Sequence, residues 1–129
     1  MIGLVVVSHS SKAAEGICEI AAQMAGGATI EPAGGDGEGG IGTSAPRIQD
    51  AIETVDDGDG VVILVDLGSA VMNAELAIEM AETESDVVIA DAPVLEGALN
   101  GAVEASNTKA TVESVVEKAE DAREYHKVN

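Results

Sequence analysis

The sequence predicts an α/β fold: a parallel four-stranded sheet of order 2-1-3-4 with helices on both faces. Three observations carry that prediction. Apolar runs of strand length recur at 2–7, 28–33, 61–66 and 87–90. The first, third and fourth are continuous in Val, Ile and Leu rather than alternating, which is the pattern of strands buried on both faces. Between the runs lie segments with the spacing of one helix face. Strand and helix thus alternate as a layered parallel sheet requires, and right-handed crossovers set the strand order.

Each element has its own signal. The opening Met1-Ile2-Gly3-Leu4-Val5-Val6-Val7 has no basic residue and is too short to cross a bilayer, so it reads as a first strand rather than a leader or anchor. The first helix carries Ala13, Ala14, Ile17, Ile20, Ala21 and Met24, and the second Ile48, Ala51, Ile52 and Val55. Residues 34–42 form the one low-complexity segment, a glycine-rich stretch read as a mobile loop. It leads to an N-cap at Thr43 or Ser44, with Pro46 in the first helical turn. A third helix over about 69–82 places Met72, Leu76 and Met80 at four-residue steps alongside Ala70, Ala74 and Ala77. Asp91-Ala92-Pro93 starts a fourth, with Leu95, Ala98, Leu99, Ala102 and Val103. Val112, Val115, Val116 and Ala119 mark a fifth, ending in a polar tail of about 125–129. No repeat is apparent and no shift in composition divides the chain, so 1–129 reads as one domain.

Composition narrows the function. The hydrophobic share of 46% is almost wholly Ala, Val, Ile, Leu and Met, and Tyr125 is the only aromatic residue. Six basic against 24 acidic residues give a net charge of -18, which argues against nucleic-acid backbones and anionic membrane surfaces as partners. The carboxylates are spread from Glu15 to Glu124 and Lys is scarce. This favours a solvated acidic surface suited to a high-salt, halophilic cytoplasm over a localised interface for a basic partner. Cys18 is the only cysteine, so it forms no intramolecular disulfide, and it reads as a small buried apolar residue. No metal constellation stands out, since the second histidine, His126, lies in the polar tail.

The glycine loop contains a formal GxGxxG match at Gly35, Gly37 and Gly40. A dinucleotide fingerprint belongs after the first strand, whereas this one follows the second and carries Asp36 and Glu38, which would repel phosphate. A P-loop fails as well, because Gly42-Thr43-Ser44 has no Lys before the hydroxyl residue.

The informative residue is His9, in Val7-Ser8-His9-Ser10-Ser11 directly after the first strand, where open parallel sheets gather their chemistry. The third strand ends in Val65-Asp66-Leu67-Gly68-Ser69. With order 2-1-3-4 the first and third strands are neighbours, so His9 and Asp66 meet at the switch point. An aspartate accepting from His Nδ1–H fixes the tautomer and leaves Nε2 with a free lone pair, as a nucleophilic histidine needs. Ser10, Thr43, Ser69 and Asn73 lie near enough to contact a phosphoryl group or a partner, although each hydroxyl could equally serve as an ordinary N-cap. A Ser-His-Asp hydrolase using Ser8, Ser10 or Ser69 is the competing chemistry, but no GxSxG elbow is present.

Four stretches together resemble a known family: Gly3-Leu4-Val5-Val6-Val7-Ser8-His9-Ser10, Ile41-Gly42-Thr43-Ser44, the run from Val65 to Glu75, and Asp91-Ala92-Pro93-Val94-Leu95-Glu96-Gly97-Ala98. The family is that of the DhaM phosphotransfer subunits of phosphoenolpyruvate-dependent dihydroxyacetone kinases, which share the fold of mannose-type enzyme IIA domains. The resemblance covers about 1–105, and the LGSAVMNAE stretch is its most specific part. It implies a homodimeric cytoplasmic phosphotransferase subunit of glycerol metabolism, with His9 as the phosphohistidine and Asp66 as its supporting carboxylate. Phosphate would pass from phosphoenolpyruvate through enzyme I and the carrier HPr to His9, then to ADP on the DhaL subunit. The ATP formed phosphorylates dihydroxyacetone held by DhaK. No cofactor is expected to stay bound, since ADP and ATP reside on the partner.

The sequence departs from the family pattern in its longer, more acidic glycine loop, and it shows no fused HPr-like or enzyme-I-like domain of the kind some relatives have, so the donor is expected to be a separate protein. Two alternatives remain: an enzyme IIA domain of a mannose-type sugar transporter, or a non-catalytic regulatory module of the same fold. The intact His9–Asp66 pair favours a phosphoacceptor over a binding module.

Overall fold

A computed structural model describes residues 1–128. The elements follow in the order β1 (Gly3–Ser8), α1 (Ser11–Met24), β2 (Thr29–Gly34), α2 (Ala45–Val55), β3 (Val61–Val65), α3 (Val71–Met80), β4 (Val87–Ile89), α4 (Val94–Ala105) and α5 (Val112–Asp121). The sheet is parallel throughout, in the order β2-β1-β3-β4. This is the topology that the alternating pattern predicts.

The continuous apolar runs explain the layering. Successive side chains of a strand point to opposite faces, so a run without polar gaps feeds two cores. Leu4, Val6, Val62 and Leu64 pack with Ala14, Cys18, Ala98 and Val115 from α1, α4 and α5. Val5, Val7, Val61 and Ile63 pack with Ile48, Ile52, Ala74 and Ala77 from α2 and α3 on the other side. Cys18 lies in the first core, where burial first, and then Glu31 and Glu15, push its thiol up to about 12. It stays protonated and serves as packing.

Three expectations need correction. The fourth strand is a three-residue edge strand, half-exposed at Val88, and not a strand buried on both faces. An edge position gives it a ladder partner on one side only, so a short strand suffices. The third helix begins later than 69: Gly68–Ala70 forms a tight 3-10 turn and the α-helix proper starts at Val71. Its alanines face the sheet, while Met72 is 81% exposed and Leu76 and Met80 also point outward.

The glycine-rich loop, expected to be mobile, is held by its own hydrogen bonds. Asp36 Oδ1 accepts from the N–H groups of Glu38 at 2.8 Å and Gly40 at 2.9 Å. The N–H of Gly35 donates to Ser8 O and that of Gly42 to His9 O, which fastens the loop to the end of β1.

Gly34 sets how closely β2 approaches α1. A Cβ at this position would lie 2.5 Å from the carbonyl oxygen of Ser10 and 2.7 Å from Ser11 Cα. Both obstacles are backbone, so they cannot rotate away. Gly34→Ala is therefore expected to lower stability by about 1–3 kcal/mol, as overpacking does. Urea unfolding with an unchanged m-value checks this, and an unaltered midpoint would mean that the start of α1 moves aside without cost.

Candidate functional site

The register of the sheet brings the site together. Val7 of β1 lies opposite Val65 of β3, so the residues that follow, Ser8-His9 and Asp66, leave the sheet side by side. The N–H of Asp66 donates to Val7 O, continuing the ladder to its last rung. The carboxylate of Asp66 then serves three donors. Its Oδ2 accepts from the backbone N–H of His9 and from Ser8 Oγ, each at 3.0 Å, and its Oδ1 lies 3.0 Å from His9 Nδ1.

Burial works to raise the Asp66 carboxyl, but the His9 N–H, the imidazole and the Ser8 hydroxyl together hold it below the usual aspartate range. An ionised carboxylate only accepts, so Nδ1 carries the ring proton. The sign of the linked stability follows from the lowered value. It is present above the unfolded aspartate pKa of about 3.9 and is lost as pH falls through the lower folded value.

The other ring nitrogen has a partner that the sequence did not reveal. Ser69 Oγ lies 2.9 Å from His9 Nε2, so the lone pair expected to be free accepts from the serine hydroxyl. The 3-10 turn at Gly68–Ala70 places Ser69 there. No side chain caps that turn, and the N–H groups of Gly68 and Ser69 have no partner among the described residues. Asp66, His9 and Ser69 thus form one hydrogen-bonded line, with the His9 side chain 23% exposed at its centre.

The remaining candidates fall into separate places. Asn73 Nδ2 donates to Thr43 Oγ1 at 2.6 Å, tying α3 to the loop before α2. Ser44, not Thr43, caps α2 by accepting from Arg47 N–H. Ser10 caps α1 by accepting from Ala13 N–H at 3.2 Å, and its hydroxyl makes no bond to the histidine ring. His126 is exposed in the tail. Sequence reasoning weighed Ser8 only as a nucleophile. It is 2% exposed, donates to Asp66 and accepts from Ser10 N–H, so it positions the carboxylate. Its signal was a single small polar residue closing a wholly apolar strand. Among the described residues no cluster of three or more His, Cys, Asp or Glu side chains could hold a metal ion.

The chain thus sets an Asp–His pair at the switch point of a four-stranded parallel sheet, and residues 3–116 match the family model described as PTS system fructose IIA component, EIIA-man. The phosphoryl donor subunit DhaM of PEP-dependent dihydroxyacetone kinase 2 from Listeria innocua is 42% identical over 107 residues, covering 81% of this chain and 86% of that protein. The phosphotransferase subunit DhaM of the PTS-dependent dihydroxyacetone kinase of Lactococcus lactis is 36% identical and covers 90% of this chain and 94% of its own length. The Escherichia coli DhaM is 41% identical, but the chain spans only 24% of that longer protein. A crystal structure described as a protein of unknown function superimposes with a TM-score of 0.81 at 33% identity, covering 93% of each chain. The chain belongs to the EIIA-man family and, within it, to the DhaM phosphoryl donor subunits of dihydroxyacetone kinase.

Proposed function

We propose that the chain is a phosphohistidine carrier that takes a phosphoryl group onto His9 Nε2 from an HPr-type protein and passes it to ADP held by a DhaL-type subunit. The observation that carries this reading is the line Asp66–His9–Ser69. Asp66 holds the proton on Nδ1, so Nε2 is the nucleophile. The Ser69 hydroxyl is positioned to turn from the lone pair to a phosphoryl oxygen. The N–H groups of Gly68 and Ser69, without a partner among the described residues, add donors suited to anionic oxygens. Once phosphorylated, the ring is an imidazolium whose charge Asp66 offsets. Onward transfer breaks the P–N bond, returns its electron pair to Nε2 and leaves the ring neutral with Nδ1–H in place, so no proton enters or leaves.

The test is incubation with phosphoenolpyruvate, enzyme I and a cognate HPr. One acid-labile, base-stable phosphoryl group should appear on His9. Transfer onward should need the DhaL-type subunit with bound ADP, and withholding the nucleotide should stop that step alone. The description of the matching family model as a sugar-system component favours one second reading, an enzyme IIA domain of a mannose-type transporter. Discharge to a transporter IIB domain and not to ADP would establish it.

The carrier itself holds no permanent cofactor in this reading and works in the cytoplasm; no described helix is long and apolar enough to cross a membrane. The outward Met72, Leu76 and Met80 of α3 support a homodimer, and a monomeric mass by light scattering in molar salt would refute it. The surface reads as halophilic. With a net charge of -18, self-repulsion should ease as salt shortens the Debye length to roughly 3 Å at 1 M, so the melting temperature should rise with KCl. A flat profile from dilute buffer to molar salt would remove the support for this reading.

A further inference from the structure

A cavity of about 460 Å³ opens one residue past His9, between the glycine-rich loop and the first turns of α1 and α2; Ser10 lines it and His9 itself does not. Its loop wall is fastened to β1 through Gly35 N–H to Ser8 O and Gly42 N–H to His9 O. Glycines make up half of the lining, so along the loop wall a ligand can come close to the peptide backbone.

Its charge is anomalous for this protein. Lys12 and Arg47, two of the six basic residues in the chain, line the cavity; the other four all lie beyond residue 108. Arg123 and Lys127 are bridged to carboxylates; Lys12 and Arg47, like Lys109 and Lys118, have no carboxylate within bridging distance among the described residues, although Arg47 helps hold the Asp36 carboxyl below its ordinary range. Arg47 Nε donates to Gly34 O at 3.0 Å, which seats the guanidinium at the cavity and leaves its two Nη groups without a partner among the described residues. Asp36, the residue that argues against phosphate in the sequence, turns its Oδ1 onto the loop's own N–H groups and does not line the cavity.

We infer that this cavity is a phosphate subsite, in which Lys12 and Arg47 receive the phosphates of the nucleoside diphosphate that takes the phosphoryl group from His9. The inference rests on the carrier reading and supplies what that reading lacks. A phosphorylated His9 on a chain of net charge -18 repels an incoming nucleotide diphosphate, and the two cations of the cavity that opens at Ser10 offset that repulsion on the approach to the histidine. Guanidinium and ammonium groups are the side chains that bind phosphate oxygens most strongly. The β-phosphate oxygen attacks the phosphorus of His9, the P–N bond breaks toward Nε2, and the cations stay on the two phosphates already present.

The test compares the wild type with Lys12→Gln and with Lys12→Gln/Arg47→Gln. The Lys12 side chain makes no hydrogen bond or salt bridge among the described residues, so the single variant keeps the fold even if the double variant does not. Loading of His9 from phosphorylated HPr should be unchanged. The KM for ADP in transfer to the DhaL-bound nucleotide should rise about tenfold or more, the loss expected of one charged hydrogen bond. Inorganic pyrophosphate should inhibit transfer by the wild type and lose that effect in the variants. Titrated alone into the isolated protein, pyrophosphate should shift the amide resonances of Gly35 and Gly37 only where Lys12 and Arg47 are present. An unchanged KM overturns the inference and leaves the carrier reading standing. A parallel fall in loading overturns it too, because the cations would then dock the protein donor. If wild-type His9 fails to load, the carrier reading falls, and the pyrophosphate titration still decides the subsite: no shift overturns it.

Discussion

His9→Ala is expected to carry no phosphoryl group when phosphoenolpyruvate, enzyme I and HPr are supplied, while keeping the fold. The loss should be complete, because among the described residues no other histidine has a carboxylate that fixes its ring proton. His126 is exposed in the tail and has no hydrogen-bond partner among the described residues. The fold should survive because the substitution spares the bonds that hold the strand end. The backbone N–H of residue 9 and the Ser8 hydroxyl still donate to Asp66 Oδ2, and the residue 9 carbonyl still accepts from Gly42. A change in stability within about 1 kcal/mol fits the loss of one partly exposed ring. Mass spectrometry of the labelled protein decides the matter. Label on His126 or on a serine, or undiminished label in the variant, would overturn the assignment.

How much of this was legible in the sequence depends on which physical constraint acts at each residue. The two cores follow from Leu4, Val5, Val6 and Val7 alone: four consecutive buried residues on one strand require a layer on each side. The meeting of His9 and Asp66 was legible for the same reason, since Asp66 follows the last apolar residue of one run, His9 comes two residues after that of the other, and β1 pairs with β3. Ser69 was less legible. Its place against Nε2 depends on the 3-10 turn at Gly68–Ala70, and a four-residue apolar step cannot show where a tight turn gives way to an α-helix. The role of Asp36 was hidden because a sequence does not show whether a loop carboxylate faces outward or bonds its own backbone two and four residues ahead. The cavity lined by Lys12 and Arg47 joins residues 35 positions apart in the sequence and has no local pattern at all.

Asp66→Asn should slow the labelling of His9 by about three to four orders of magnitude without abolishing it, the scale seen when an aspartate that orients a catalytic histidine becomes an amide. The cause lies in the hydrogen-bond inventory. Oδ2 faces two donors, the His9 N–H and Ser8 Oγ–H, and the backbone donor cannot turn away. An asparagine therefore keeps its carbonyl oxygen on that side, and its NH2 group takes the place of Oδ1 against His9 Nδ1. An amide N–H donates, so Nδ1 must accept and the ring proton moves to Nε2. The attacking lone pair is then on the wrong nitrogen, and Ser69 Oγ changes from donor to acceptor. The phosphorylated ring also loses the anion that offsets its imidazolium charge. Nitrogen NMR of the imidazole should show the proton moving from Nδ1 to Nε2. A variant that kept the Nδ1–H tautomer and labelled at the wild-type rate would refute the role given to Asp66.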